Sequence, residues 1–136
     1  MSVVDELMKA DARKVSERAT GIFKSKQLAR IMGKSDPVEV KIQEISQRRQ
    51  KELASSAYEG GDVSIEKAFD ANLKVLVAGV IDPPLKDKDL QEHFGCKMAI
   101  DLAEKLFKDE VGELSNAIIN LGSVGDEADD EEEIKN

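Results

Sequence analysis

Residues that build catalytic, redox and disulfide sites are scarce in this sequence. Its 136 residues include one cysteine, Cys96, one histidine, His93, one tyrosine and no tryptophan. A lone cysteine excludes an intramolecular disulfide and favours the cytosol, and we expect it to be a small buried thiol. The lone histidine has no cysteine or second histidine near it, so it offers neither metal-ligand spacing nor a nucleophile–base pair. We therefore predict no enzyme activity and no catalytic, cofactor-binding or metal-binding residue.

Long apolar runs and an excess of basic charge are also missing. The longest apolar run, residues 75–81, is far shorter than the ~20 residues that span a bilayer, and the N-terminus lacks the basic-then-apolar order of a signal peptide. Twenty basic residues stand against 28 acidic ones, for a net charge of −8. A nucleic-acid-binding protein needs a basic face to neutralise phosphates. We predict a cytoplasmic protein that binds neither nucleic acid nor membrane.

The acidic charge is concentrated at one end of the sequence. Residues 126–136 carry seven acids and one lysine, which leaves residues 1–125 with a net charge of about −2. A block of like charges cannot bury apolar surface, so we predict a disordered acidic tail over residues 123–136. Such a tail can keep a protein soluble or attract a basic segment of a partner.

The N-terminal segment, residues 1–25, has a weak apolar stripe among many charged residues. Its members, at roughly helical spacing, are Val4, Leu7, Met8 and Val15. An amphipathic helix can contact a partner protein, so these four are our candidate partner-binding residues. The alternative is that the stripe packs on its own domain or frays in solvent. We divide the chain into this independently moving segment, a body over residues 26–122 and the tail.

Alternating residues predict a β-hairpin at the start of the body. Val38-Glu39-Val40-Lys41-Ile42 has the period of two that is typical of a half-buried strand. Because a cluster of turn formers, residues 33–37, comes before it, we predict that residues 27–32 pair with residues 38–43. Gly33-Lys34-Ser35 imitates the end of a phosphate-binding loop, but Leu28 stands where that motif needs glycine.

For the rest of the body, the sequence predicts short helices that begin at capping residues and end at glycine or proline. Ser46 can cap a helix over residues 47–58, and Asp87 can cap one over residues 88–94. Two more helices are predicted over residues 97–108 and 110–121. Ser64 can cap a core helix that Pro83-Pro84 ends, and its apolar face consists of Ile65, Phe69, Leu73, Leu76, Val77 and Val80. The predicted fold is mainly α within the α+β class, a small bundle of short helices with a β-hairpin near its N-terminal side.

Three stretches, taken in order, carry a family resemblance. They read PVEVKIQEIS (37–46), LKVLVAGVIDPPLKDKDLQEHFG (73–95) and MAIDLAEKLFKDEVGELSNAIINLG (98–122). Together they resemble the tail assembly chaperones of long-tailed bacteriophages, of the kind found in PBSX-like prophage tail operons. The resemblance covers residues 38–121 and leaves the N-terminal forty residues and the acidic tail outside it.

The resemblance implies a protein that acts by binding, without a reaction. Proteins of this kind bind the tape measure protein, keep it soluble and are displaced as tail-tube subunits polymerise. The implied partners are the tape measure protein and, as further candidates, the tail tube protein and a second copy of the chain. The implied location is the cytoplasm of the bacterial host, with no copy in the finished virion. The alternative function is a general acidic helical adaptor or inhibitor that uses the tail against a basic partner protein.

Overall fold

A computed structural model of the chain describes residues 2–55 and 64–122. The described residues form seven α-helices, three β-strands and two short 3-10 helices. In chain order they are α1 (Val3–Lys9), a 3-10 helix (Ala12–Ser16), β1 (Thr20–Ser25), α2 (Lys26–Met32), β2 (Val38–Gln43), α3 (Gln47–Ser55), α4 (Ile65–Gly79), β3 (Val80–Asp82), α5 (Lys88–His93), α6 (Ala99–Phe107), a 3-10 helix (Lys108–Glu110) and α7 (Val111–Leu121). The predicted α+β class, with short helices dominating, is confirmed.

The strands form one antiparallel sheet in the order β1-β2-β3. Strand β2 lies where the alternation predicted it, with Val40 and Ile42 buried and Glu39 and Lys41 exposed. One face of the strand therefore closes the hydrophobic core and the other faces water, as its period of two requires.

The predicted partner of β2 is wrong. Residues 27–32 lie in α2, and the strand that pairs with β2 is β1, with Thr20 opposite Gln43 and Ser25 opposite Val38. Helix α2 forms because the Ser25 hydroxyl accepts a hydrogen bond from the Leu28 amide at 3.0 Å, which caps a run of good helix formers. It ends at Gly33, whose left-handed φ of 71° suits glycine. The two strands are thus joined by a helix and a turn.

The third strand was not predicted. The core helix α4 ends at Gly79, several residues before the prolines, and Val80 and Asp82 pair with Ile42 and Lys41 of β2. A residue that precedes proline is pushed out of the helical region, and β-branched residues suit a strand, so the chain extends here. The peptide bond between Asp82 and Pro83 is cis.

The predicted caps are confirmed. The hydroxyls of Ser46 and Ser64 accept hydrogen bonds from the Arg49 amide at 3.1 Å and the Lys67 amide at 3.0 Å. The Asp87 carboxylate accepts from the amides of Asp89 and Leu90 at 2.8 and 3.2 Å. Each of these bonds satisfies an amide that has no partner within its helix.

The predicted core face of α4 is correct except at its first residue. Leu73, Leu76 and Val80 are buried, while Phe69 and Val77 are half-buried against the core. Ile65, in the first turn of α4, is 92% exposed. The predicted extension of α3 to residue 58 and the predicted disordered tail both lie outside the described residues.

Helices α4 and α7 meet at Gly79. A Cβ atom on Gly79 would lie 2.5 Å from Cγ2 and 2.9 Å from Cδ1 of Ile118, which is fully buried. Nearby, the Ser115 hydroxyl donates a hydrogen bond to Oδ1 of Asn72 at 3.0 Å. Both contacts hold α7 close against α4 at the centre of the core.

The substitution Gly79→Ala is expected to lower the free energy of unfolding by about 1–3 kcal/mol, because its methyl group overpacks Ile118. An alanine in an ordinary helical position would instead stabilise by about 0.5–1 kcal/mol. Urea unfolding followed by circular dichroism measures the change. Gly112→Ala is the matched control, since a Cβ there meets nothing within 4 Å. If Gly79→Ala and Ile118→Ala destabilise additively in the double variant, the proposed clash is absent.

Candidate functional site

The apolar residues of α1 are uncovered. Val4 and Leu7 are each 67% exposed and Met8 is 81% exposed, and Val3 beside them is 70% exposed. No residue of α1 is buried. The side chain of Val15, the fourth predicted candidate, lies outside the described part of the structure. We call Val3, Val4, Leu7 and Met8 the α1 stripe.

Helix α1 is stabilised locally. The Ser2 hydroxyl accepts from the Asp5 amide at 3.1 Å and the Asp5 carboxylate accepts from the Ser2 amide at 3.4 Å, which forms a capping box. Further along, Asp11 caps the first 3-10 helix through the Arg13 amide. The Arg13 side chain, which also bonds to this carboxylate, holds the pKa of Asp11 below its usual range. The bonds that fix this segment are therefore between close neighbours in sequence.

A second uncovered apolar surface lies in the body, between α2, β2, α5 and α6. It is a groove of about 400 Å³, which we call the apolar groove. Its apolar side chains are Leu28, Ile31, Met32, Val38, Pro83, Leu90, Phe94 and Leu106. The polar residues Glu39, Asp82 and His93 also line it. The groove thus combines a continuous apolar lining with three polar groups that can orient a bound chain.

The groove is open at α2. Ile31 is 41% exposed and Met32 is 55% exposed, whereas Leu28 and Leu106 are buried. Because these side chains are already about half buried, covering the rest of each one contributes about 0.7–1.5 kcal/mol. Methionine is unbranched and adapts to differently shaped partners. The arrangement suits an amphipathic helix whose apolar side chains recur every three or four residues.

One carboxylate fixes the α2 wall of the groove. Glu110, at the start of α7, accepts hydrogen bonds from the Ser25 hydroxyl at 2.5 Å and from the amides of Lys26 and Gln27 at 2.8 and 3.3 Å. Ser25 is itself fully buried. The first turn of α2 is thus capped both by its own Ser25 and by a residue 84 positions away from Lys26.

The opposite wall, α5, is fixed by two side-chain bonds to the backbone. The Gln91 amide group donates to the Leu85 carbonyl at 2.8 Å, and the Lys105 ammonium donates to the Phe94 carbonyl at 2.9 Å. Gly95 follows with a φ of 72°, which turns the chain away from the groove. Both walls are held in place before any partner arrives, which lowers the entropic cost of binding.

The lone histidine, the lone cysteine and the glycine of the loop-like motif all occupy ordinary structural positions. His93 is exposed at the end of α5 with its ring edge-on to Phe94 at 4.9 Å, and Cys96 is a buried free thiol, as predicted. Gly33 ends a helix where a phosphate-binding loop would begin one. Within residues 2–55 and 64–122, no three His, Cys, Asp or Glu side chains are grouped to hold a metal ion.

The α1 stripe could be recognised in the sequence as a candidate surface, and the apolar groove could not. The stripe consists of neighbours on one short helix, so its period is visible in the sequence. The groove is lined by residues from four distant parts of the sequence, which only the fold brings together: 28, 31 and 32; 38 and 39; 82 and 83; and 90, 93, 94 and 106. The adjacent Ile31 and Met32, at the end of α2, are the one local signal.

A small α+β domain with two uncovered apolar surfaces has the character of a protein-binding module. Comparison with family models then shows which one: residues 4–135 match the Phage XkdN-like tail assembly chaperone protein family, and the chain belongs to this family. The match extends beyond residues 38–121 and includes α1 from its second residue onward and the acidic residues 126–133. Comparisons with curated proteins and with solved structures give no match. Among the described residues, no helix is long and apolar enough to cross a membrane.

The substitution Glu110→Ala is expected to lower the free energy of unfolding by about 1–3 kcal/mol, because three donors lose a charged acceptor. Amide hydrogen exchange should also accelerate at Lys26 and Gln27. Glu113→Ala is the control, since Glu113 is exposed on the same helix. Equal stability and unchanged exchange in the two variants would show that Glu110 does not hold α2.

Proposed function

We propose that this tail assembly chaperone binds the tape measure protein, keeps it soluble and is displaced as tail-tube subunits polymerise. The observation that carries the proposal is the apolar groove, with Ile31 and Met32 exposed at its mouth. A tape measure protein is long and rich in helices, so it exposes apolar helical faces until the tube surrounds it. A groove that covers such a face removes the surface through which these chains would aggregate.

The α1 stripe supplies a second contact. Residues 10–19 separate α1 from β1, so the stripe can reach along a bound helix outside the groove. Two weak contacts on one chain act together, because binding of the first raises the effective concentration of the second. Each contact alone stays weak.

Release follows from the small size of the groove. A groove of about 400 Å³ holds only a few side chains of a bound helix, so the contact is smaller than the large apolar interfaces of permanent complexes. Tail-tube subunits that contact the same faces of the tape measure protein, each stabilised by its neighbours in the tube, can outcompete such a contact. The chaperone then stays in the host cytoplasm and is absent from the finished virion. This role needs no reaction, cofactor or metal.

Co-expression with the tape measure protein of the same operon tests the proposal. We expect soluble partner that co-elutes with the chaperone on size exclusion. The double substitution Ile31→Lys and Met32→Lys should weaken binding about tenfold or more, because each side chain loses about 0.7–1.5 kcal/mol of apolar burial and each lysine places a charge at the mouth of the groove. Ile65→Lys is the matched control, since Ile65 is exposed and does not line the groove.

Two results would contradict the proposal. If the tape measure protein stays insoluble when it is co-expressed with the unaltered chaperone, it is not the partner. If the groove variant and the control variant bind it equally well, the apolar groove is not the binding site. The adaptor alternative predicts a different pattern, in which binding is lost at high salt or when the acids of residues 126–133 are neutralised, and is insensitive to the groove substitutions.

Lysines in the α1 stripe are expected to give a smaller defect than lysines in the groove. Leu7→Lys with Met8→Lys removes two apolar contacts from the stripe and leaves the core untouched, because both side chains are exposed. The affinity for the tape measure protein, measured by titration calorimetry, should fall several-fold while the melting temperature stays unchanged. If the variant binds with the same affinity as the unaltered chain, α1 does not contact the tape measure protein.

A further inference from the structure

A second groove in the body has a positively charged lining, which is unexpected in an acidic chain. It has a volume of about 630 Å³ and lies between α3, α4, the start of α6 and the residues that precede β1. Four cations line it, Arg18, Arg49, Lys74 and Lys86, and none of the acidic side chains in residues 2–55 and 64–122 does. Its apolar lining includes Ile45, Val77 and Ile100. We call it the basic groove, and it shares no lining residue with the apolar groove.

The cations of the basic groove are poorly neutralised by the body. Arg49 forms an ion pair with Glu52 on its own helix at 3.3 Å. Arg18, Lys74 and Lys86 form no ion pair with any of the described residues. Glu44 lies close by, but one of its oxygens accepts from the Ala19 amide at 2.8 Å. Four cations around a concave apolar surface focus a positive potential that attracts an anionic segment.

The end of α7 lies beside this groove. A Cβ atom on Gly122 would be 3.2 Å from Oε2 of Glu44 and 3.5 Å from Nε2 of Gln50. The same Gln50 nitrogen donates to the carbonyl of Ile45 at 3.1 Å, and Ile45 lines the groove. The chain therefore passes residue 122 at the edge of the basic groove.

The sequence that follows carries the complementary charge. Three residues, 123–125, separate Gly122 from residues 126–133, which contain seven acids. Three residues span at most about 10–11 Å, which is enough to bring the first acid to the rim. A connection this short costs little closure entropy and gives an effective concentration on the order of millimolar. A short connection of this kind favours even a weak electrostatic contact within one chain over the same contact between two chains.

We propose that residues 126–133 bind in the basic groove of the same chain. The acidic segment neutralises the cations and competes with any anionic partner for the groove. A partner with an acidic amphipathic helix would have to displace the segment, which makes the segment an internal competitor. This contact is separate from the apolar groove, so it stands or falls independently of the tape measure interaction.

Amide NMR spectra of the full chain test the proposal. The comparison is with a full-length variant in which the seven acids of residues 126–133 become Asn or Gln. We expect chemical-shift differences at Ser46, Arg49, Lys74 and Lys86, unchanged on tenfold dilution and reduced by about half or more at ~0.5 M NaCl. Differences confined to the residues next to Gly122 would overturn the proposal, and differences that vanish on dilution would show docking between chains instead.

Charge reversal in the groove provides the matched test. Lys74→Glu with Lys86→Glu, in the chain with its natural acids, should release the segment and remove most of the effect of tail neutralisation. Arg30→Glu with Lys34→Glu changes the net charge equally at the end of α2, away from the basic groove, and should leave the effect intact. An equal loss in both variants would mean that net charge, and not this groove, attracts the segment.

Discussion

The capping of α2 by Glu110 is the interaction on which the rest of the candidate site depends. The carboxylate receives the Ser25 hydroxyl and the first amides of α2, so it joins the end of β1 to the start of α7. Helix α7 in turn packs on α4 through the close approach of Gly79 and Ile118. Glu110 therefore connects the sheet, the helical core and the α2 wall of the apolar groove. Hydrogen bonds to a carboxylate are stronger than hydrogen bonds between neutral groups, and this carboxylate accepts three of them.

Features set by neighbours in sequence could be predicted from the sequence. The caps at Ser46, Ser64 and Asp87 and the alternation of β2 depend on a few adjacent residues, and the structure has them all. The pairing of the sheet depends on distant residues and was predicted wrongly. Val80-Ile81 suits either a helix or a strand, and the neighbouring β2 decides for the strand. Residues 27–32 are helical because Ser25 and Glu110 cap them, and the second of these caps lies far along the chain.

The same distinction separates the two surfaces of the candidate site. The α1 stripe is visible as a period in one short helix, and three of its predicted members are exposed. The apolar groove needs four elements to meet, and the basic groove needs cations from four separate places in the chain. Composition pointed only to the acidic end. That the body gathers four cations near the last residue of α7 follows from the fold, because α7 returns the chain to the junction of β2 and α3.

The central claim is that the tape measure protein binds in the apolar groove. Hydrogen–deuterium exchange of the chaperone, alone and saturated with its tape measure partner, tests this claim most directly because it reads both walls without altering the chain. Binding in the apolar groove predicts slower exchange in α2, over Lys26–Met32, and in α5, over Lys88–His93, with α3 unchanged. Protection confined to α3 or to residues 126–133, with α2 and α5 exchanging as in the free protein, would contradict it.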